Sequence, residues 1–428
     1  AMLGGVMIHL TCGSMYCWGN LISYLPSNLR YWSAERMALN GPPDAQLVLA
    51  FILVSQMTGM PLGPVLEKYL GPRLTSAVGS LMMGVGVFTA SYATNLLDFV
   101  LRYAVLFGLG VGVAYQMPFV TGGRWFPTKK GTVQGAIISG MGASAFIFNF
   151  VGTKFINPDG VNAIGGSFPP EISARWPALL RTLGVAFTCL SFTGAMLQSN
   201  PQSSGIKYPG VEFFKRLGGK APEAPKRRAK AVAMSAADDQ PSVLSHVFSA
   251  KFLLLWVMIL NSAVSGLNIA SSYKTFGSKQ AHLNSDSFLT LVGALAAIGG
   301  NAAGRFFWGS SSDKFGFKAC FSALTLLQGA TMYNYGRLAS TRTTFLLATV
   351  AMLFCMGGNF AMFPAQTFRT FGAGGAGVYS FLFTAFGCAA LLGPLLSTAL
   401  IEIGGQKLVF NVLSLMSAFS FALCRLFL

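Results

Sequence analysis

Long apolar runs alternate with short polar stretches along nearly the whole chain, and the runs have membrane-spanning length. Twelve can be marked: about 2–26, 45–66, 74–94, 98–121, 132–153, 177–197, 251–272, 286–308, 319–336, 343–366, 376–400 and 406–427. A helix of ~20 residues crosses a ~30 Å hydrocarbon core, so the pattern predicts an all-α polytopic membrane protein with twelve transmembrane helices. One interruption is much longer than the others. Residues 198–250 contain KRLGGKAPEAPKRRAK and read as a mobile basic linker between 1–197 and 251–428. One charge falls inside an apolar run. The stretch Phe288–Gly304 is uncharged, Arg305 follows, and the next acid is Asp313, about 12 Å further along a helix. A guanidinium at that depth is costly and faces a cavity or a partner. With no acid beside it, its natural partner is an exchangeable anion.

Composition supports a membrane chain. Apolar residues make up 53% and charged residues only 10%, with mean hydropathy +0.56, which excludes an ordinary soluble domain. A net charge of +17 would suggest nucleic acid, but topology explains it better. With both termini cytosolic, Lys and Arg concentrate on the cytosolic side, much of the excess in the linker. No nucleic-acid partner or cofactor is expected. The seven cysteines are scattered without metal-ligand or disulfide spacing, and no Ser/His/Asp set or phosphate loop points to an enzyme. Residues 1–26 are too long and too rich in Tyr, Trp and Asn for a signal-peptide core.

The two halves echo each other at an offset of 246 residues. Gly63-x-x-x-Glu67-Lys68 matches Gly309-x-x-x-Asp313-Lys314, Gly112…Pro118 matches Gly358…Pro364, and Gly131 matches Gly377. Three matches at one offset argue for a duplicated six-helix unit. Two parallel six-helix halves joined by a long loop are the layout of the major facilitator superfamily, whose substrates bind between the halves near mid-membrane. In the Gly-x-x-x-acid-basic motif the glycine allows helices to approach, and the carboxylate can hold basic groups and a helix N-terminus, stabilising one gate state. Gly63, Glu67, Lys68, Gly309, Asp313 and Lys314 are therefore candidate gating residues.

Five stretches resemble the oxalate/formate antiporter branch of that superfamily, related to monocarboxylate transporters. They are MYCWGNL at 15–21, GLGVGVAYQMP at 108–118, RWFPTKKG at 124–131, GRFFWGSSSDKFG at 304–316 and LFTAFGCAALLGP at 382–394. The resemblance implies that Arg305 is the carboxylate-binding arginine of the eighth helix, which agrees with its isolation in the sequence. A planar guanidinium pairs bidentately with a carboxylate. Two departures matter. Oxalate exchange in this branch is associated with a lysine on the eleventh helix, near Ala389 here, yet 372–404 hold no Lys or Arg. Monocarboxylate transporters often carry an aspartate four residues before the arginine; here it is Asn301. One cation holds one carboxylate cheaply, and a second would remain unpaired. The expectation is a carrier of small monocarboxylates such as pyruvate, lactate or formate, with protons as a candidate co-substrate. The alternatives are an oxalate/formate-type dicarboxylate exchanger, and a non-transporting sensor or structural subunit of a larger membrane complex. An intact Arg305 and both motifs favour transport.

The first, fourth, seventh and tenth helices line the cavity in this fold. Their polar and aromatic positions, with the second and eleventh helices, complete the candidate site: Tyr16, Asn20, Gln56, Tyr115, Gln116, Asn268, Asn359, Phe363, Tyr379 and Phe386. His9 titrates nearest neutrality, though a lone histidine is more often a packing residue. Arg102 and Lys274 are candidates either for attracting anions at the far entrance or for anchoring the interface.

Overall fold

The computed structural model describes the chain except residues 39–43, 160, 162–167, 202–203, 207, 212–242, 279 and 428. The basic stretch of the expected linker lies outside the described residues. All regular structure described is helical. We number the main helices α1 (Met2–Cys12), α2 (Val48–Gly59), α3 (Leu62–Ala90), α4 (Leu96–Trp125), α5 (Lys130–Ile156), α6 (Trp176–Met196), α7 (Ala250–Ser278), α8 (Phe288–Leu338), α9 (Arg342–Phe371), α10 (Gly377–Ser397) and α11 (Ala399–Phe427). Among the described residues nine helices are long and apolar enough to cross a membrane, and α1 and α2 belong to shorter apolar helices. This is a polytopic all-α membrane fold. Its helices expose large apolar side chains such as Leu101, Phe150, Leu347 and Leu415, as lipid contact requires.

The helices bend where the sequence expected loops. Residues 67–73 and 309–318 were expected to join separate spans; instead α3 turns at Gly71 (φ 75°) and α8 at Gly316 (φ 80°). Both backbones lie in the left-handed region open to glycine. A third break falls at Gly404 and Gly405, near the start of α11. The first run is less regular than expected. After Cys12 it continues as a 3₁₀ turn over Gly13–Cys17, a short helix over Trp18–Leu21 and another 3₁₀ turn to Tyr24. Buried aromatics anchor this segment, with Trp18 packed against Phe99, Tyr103 and Trp176.

The N-terminus lies beside the end of α6. The Ala1 carbonyl accepts from Gln198 Nε2 at 3.1 Å, and Arg124, the bend of α3 and the start of the linker meet there as well. Glu67 and Asp313 lie at this motif end of the bundle.

Candidate functional site

Arg305 is fully buried. Two helices close on its segment at positions without a side chain. A Cβ at Gly135 of α5 would stand 2.6 Å from the Arg305 carbonyl, and one at Gly357 of α9 would stand 2.3 Å from that of Asn301. A π-helical segment, Ala296–Ala302, precedes the arginine and carries Asn301; such bulges re-aim side chains at functional sites. Asn301 Oδ1 accepts from Arg305 Nε at 2.6 Å, and the Ile138 carbonyl of α5 accepts from Nη1 at 3.1 Å. Phe360 of α9 covers one face of the guanidinium, its ring centre 4.7 Å from Cζ. Nη2 is buried without a hydrogen-bond partner. The Nε edge is therefore occupied, and a carboxylate can approach only the end formed by the two terminal nitrogens. Asn301 orients the group without neutralising it, as the sequence implied.

Aromatic residues enclose that end. Tyr16, Tyr115 and Tyr379 are the electrostatic neighbours of the guanidinium. The Tyr115 ring meets Phe383 at 5.3 Å, Phe383 meets Tyr379 at 6.1 Å and Phe386 at 5.2 Å, and Phe386 stacks on Phe360 at 4.4 Å. All three hydroxyls are buried, that of Tyr16 facing the guanidinium and those of Tyr115 and Tyr379 facing each other. A box with apolar walls, one cation and three hydroxyls suits a small organic anion. Four of the expected residues, Tyr16, Tyr115, Tyr379 and Phe386, are brought together with Arg305 and Asn301.

Other candidates do different work. Phe363 packs against Phe317 and Phe321 at 5.2 Å each, turned into the second half of α8 and not toward Arg305. Asn268 donates to Ser397 Oγ and the Gly393 carbonyl, tying α7 to α10. Asn359 accepts from Ser262 at 3.0 Å in a buried polar seam with Gln328 and Ser417. In membrane helices such residues hydrogen-bond neighbouring helices, which is why polarity misplaced them. Gln116 bridges to Ser380 at 2.7 Å, linking α4 to α10. Gln56 is fully buried with both amide atoms unpartnered. The side chains of Asn20 and Lys274 lie outside the described residues. Arg102 is paired with Asp98 at 2.5 Å. Phe360 and the Ile138 carbonyl were missed as site residues. Phe360 adjoins Asn359, so choosing the helix face by its polar residues missed it by one position.

The two motifs differ in what they hold. Asp313 accepts from the backbone N–H groups of Gly131 and Thr132, at 3.0 and 2.6 Å, and from the Thr132 hydroxyl at 2.8 Å. It also pairs with Arg369. A carboxylate at a helix N-terminus meets unsatisfied donors and the positive end of the dipole. Gly309 and Gly131 allow this contact: a Cβ at Gly309 would lie 2.6 Å from the Gly131 carbonyl. Glu67 instead pairs with Arg124 at 2.9 Å and accepts from the Tyr208 hydroxyl at 2.9 Å. Lys68 and Lys314 are exposed. Arg124 and Arg369 were not foreseen as the motif partners, although their spacing nearly repeats the offset between the halves.

No family model matches the chain. The E. coli fucose:proton symporter FucP, a solved structure 14% identical in sequence, superposes with a TM-score of 0.66 over 99% of this chain and 97% of that one. Apicoplast pyruvate carrier 1 of Toxoplasma gondii is 30% identical over 443 aligned residues, which span 90% of this chain and 80% of the carrier. The chain belongs to the major facilitator superfamily, and is a secondary transporter, not an enzyme. It is also 22% identical to the oxalate:formate antiporter of Oxalobacter formigenes, over 99% of this chain and 89% of that protein.

Proposed function

We propose that the protein carries small monocarboxylates, pyruvate-like in size, across a membrane by alternating access. The carrying observation is Arg305: a fully buried cation with one terminal nitrogen unpartnered, inside a box of tyrosines and phenylalanines. Its likeness to a pyruvate carrier supports the substrate class. So does charge matching, since α10 supplies no Lys or Arg and position 389 is a fully buried alanine. A second carboxylate would be desolvated without a partner.

In this reading twelve spans form two six-helix bundles, 1–197 and 251–428, joined by the segment 198–250. Taking α2 together with the part of α3 before Gly71 as one span, and dividing α8 at Gly316, yields that number with α1 included. The motif end, with both termini, faces the cytosol by the positive-inside bias. Arg305, Asn301 and the aromatic box bind the anion, while Glu67 and Asp313 bias the gates.

Uptake of labelled pyruvate, lactate, formate and oxalate into proteoliposomes tests the proposal. Any of the three monocarboxylates should be preferred to oxalate; a preference for oxalate would overturn the charge-matching argument. Arg305→Lys keeps the charge but loses the planar fork, and should cut uptake by ~30-fold, the equivalent of ~2 kcal/mol for a charge-assisted bond. Normal uptake by Arg305→Ala would remove Arg305 from the site. Ala389→Lys should move preference toward oxalate.

A further inference from the structure

His9 is one of three histidines in the sequence, and the other two lie outside the long helices. His246 lies in the short helix Val243–Val247, and His282 lies between α7 and α8. His9 lies within α1 and is fully buried. Its Nδ1 is 3.1 Å from the Gly5 carbonyl, one turn back. A carbonyl only accepts, so Nδ1 carries the hydrogen and Nε2 presents a lone pair. That Nε2 is buried without a partner. The ring packs against Tyr115 and Phe119, each at 5.0 Å between centres, which sets it against the back of the aromatic box. Arg305 is the charged group whose field reaches it.

The remaining charges on the helices around α1 stand elsewhere. Lys130, Lys154, Arg181, Asp98, Arg102 and Arg124 lie within two turns of a helix end, and Glu67, Lys68 and Arg73 flank the bend of α3. Tyr115 and Arg305 are thus the titratable and charged groups that face His9 across the site. Tyrosine and arginine keep their protons at neutral pH, and imidazole does not.

We propose that His9 is the proton-binding group of this carrier. Its Nε2 lone pair takes a proton from water on the entry side as the carboxylate arrives at Arg305, and returns it to water on the exit side. No bond of the carboxylate changes. Without the anion, an imidazolium beside a buried guanidinium is two cations in a low dielectric. With the anion present, one negative charge is shared by both cations and offsets their repulsion, so anion and proton raise each other's affinity. The loaded site then keeps the single positive charge of the unloaded one, and both directions of the cycle move the same charge through the membrane.

The inference rests on the carboxylate-carrier reading, and the experiment separates the two. Purified full-length protein in detergent is titrated with pyruvate in weakly buffered solution containing a pH-sensitive dye, with binding followed in parallel by calorimetry. Wild-type protein should take up about one proton per pyruvate bound near neutral pH. Its apparent Kd should weaken about tenfold per pH unit above the titration midpoint. His9→Asn keeps a donor for the Gly5 carbonyl, and His9→Gln keeps an amide near Nε2; neither titrates. Both should lose the proton uptake, and whatever affinity they retain should be independent of pH. Wild-type protein that binds pyruvate without proton uptake overturns the inference, whatever the variants do. So does equal uptake in either variant. If wild-type protein binds none of pyruvate, lactate, formate and oxalate, the carrier reading falls and takes this inference with it.

Discussion

Glu67 and Asp313 occupy matching places in the two halves of the sequence, each four residues after a glycine and shortly before a bend, yet they fasten different parts of the molecule. Both pair with an arginine from the end of a neighbouring helix, Arg124 or Arg369. The difference lies in the remaining oxygen valences. Asp313 spends them on the first N–H groups of α5, which belongs to the other half of the sequence. Glu67 spends them within its own half and on Tyr208 after α6, where Asn200 and Arg124 join the same cluster. A duplicated motif has thus become one fastener between halves and one clamp on the connecting segment. Ion pairs alone would be a poor guide to this, since partly exposed pairs contribute little. Hydrogen bonds to a helix N-terminus are directional and separate the two roles.

The comparison predicts the largest effect at Asp313. Asp313→Asn replaces an acceptor-only group by an amide whose NH₂ faces other donors, and removes the charge at the α5 N-terminus. Losing ~2 kcal/mol of contact between halves shifts the gate equilibrium ~30-fold. Spin labels at the exposed positions Lys129 and Lys314 should report a longer, broader distance distribution, and turnover should fall more than substrate affinity. An unchanged distance would end the assignment of Asp313 as the fastener between halves.

Glu67→Gln should act more weakly and in a different place. Spin labels at Tyr69 and Ile206, both exposed, should separate as the clamp opens, while the Lys129–Lys314 distance stays as in wild type. Turnover should fall only ~2- to 5-fold, the scale of ~1 kcal/mol for a half-exposed cluster. If Glu67→Gln widened the Lys129–Lys314 distance as much as Asp313→Asn, the two motifs would be equivalent and the comparison would fail.

The polytopic all-α membrane fold was legible because lipid imposes length and apolarity on every span. Arg305 was legible for the same reason, as a charge where lipid tolerates none. The aromatic box was legible in part. Tyr16, Tyr115, Tyr379 and Phe386 reach it, but Asn268, Asn359 and Phe363 serve contacts between helices. Polar and aromatic residues in a membrane helix satisfy neighbours as often as ligands, and periodicity does not say which helix lies opposite. The asymmetry of the motifs was not legible. It depends on Tyr208 folding back over Gly71, where a Cβ would meet the ring at 2.8 Å, a contact 137 residues apart that no local pattern encodes.

Tyr208 gives the smallest and most discriminating test. Its hydroxyl donates to Glu67, and accepts from Arg124 Nη1 at 3.1 Å and Asn200 Nδ2 at 2.6 Å. Burial and the neighbouring Glu67 carboxylate raise the phenol above its ordinary range, so it remains a donor throughout the neutral range and the clamp should not loosen as pH rises toward 9. Tyr208→Phe keeps the ring over Gly71 and removes only the hydroxyl. Arg124 and Asn200 still reach each other at 2.9 Å, and Arg124 still pairs with Glu67, so the loss should be ~1 kcal/mol or less. Turnover should drop by no more than ~2-fold, with slightly faster proteolysis after α6. A larger loss than that of Glu67→Gln would place the clamp in the hydroxyl instead of the carboxylate. The repeated acid would then matter only as a counter-charge for Arg124, and the role of the first motif would lie in the connecting segment that the duplication did not copy.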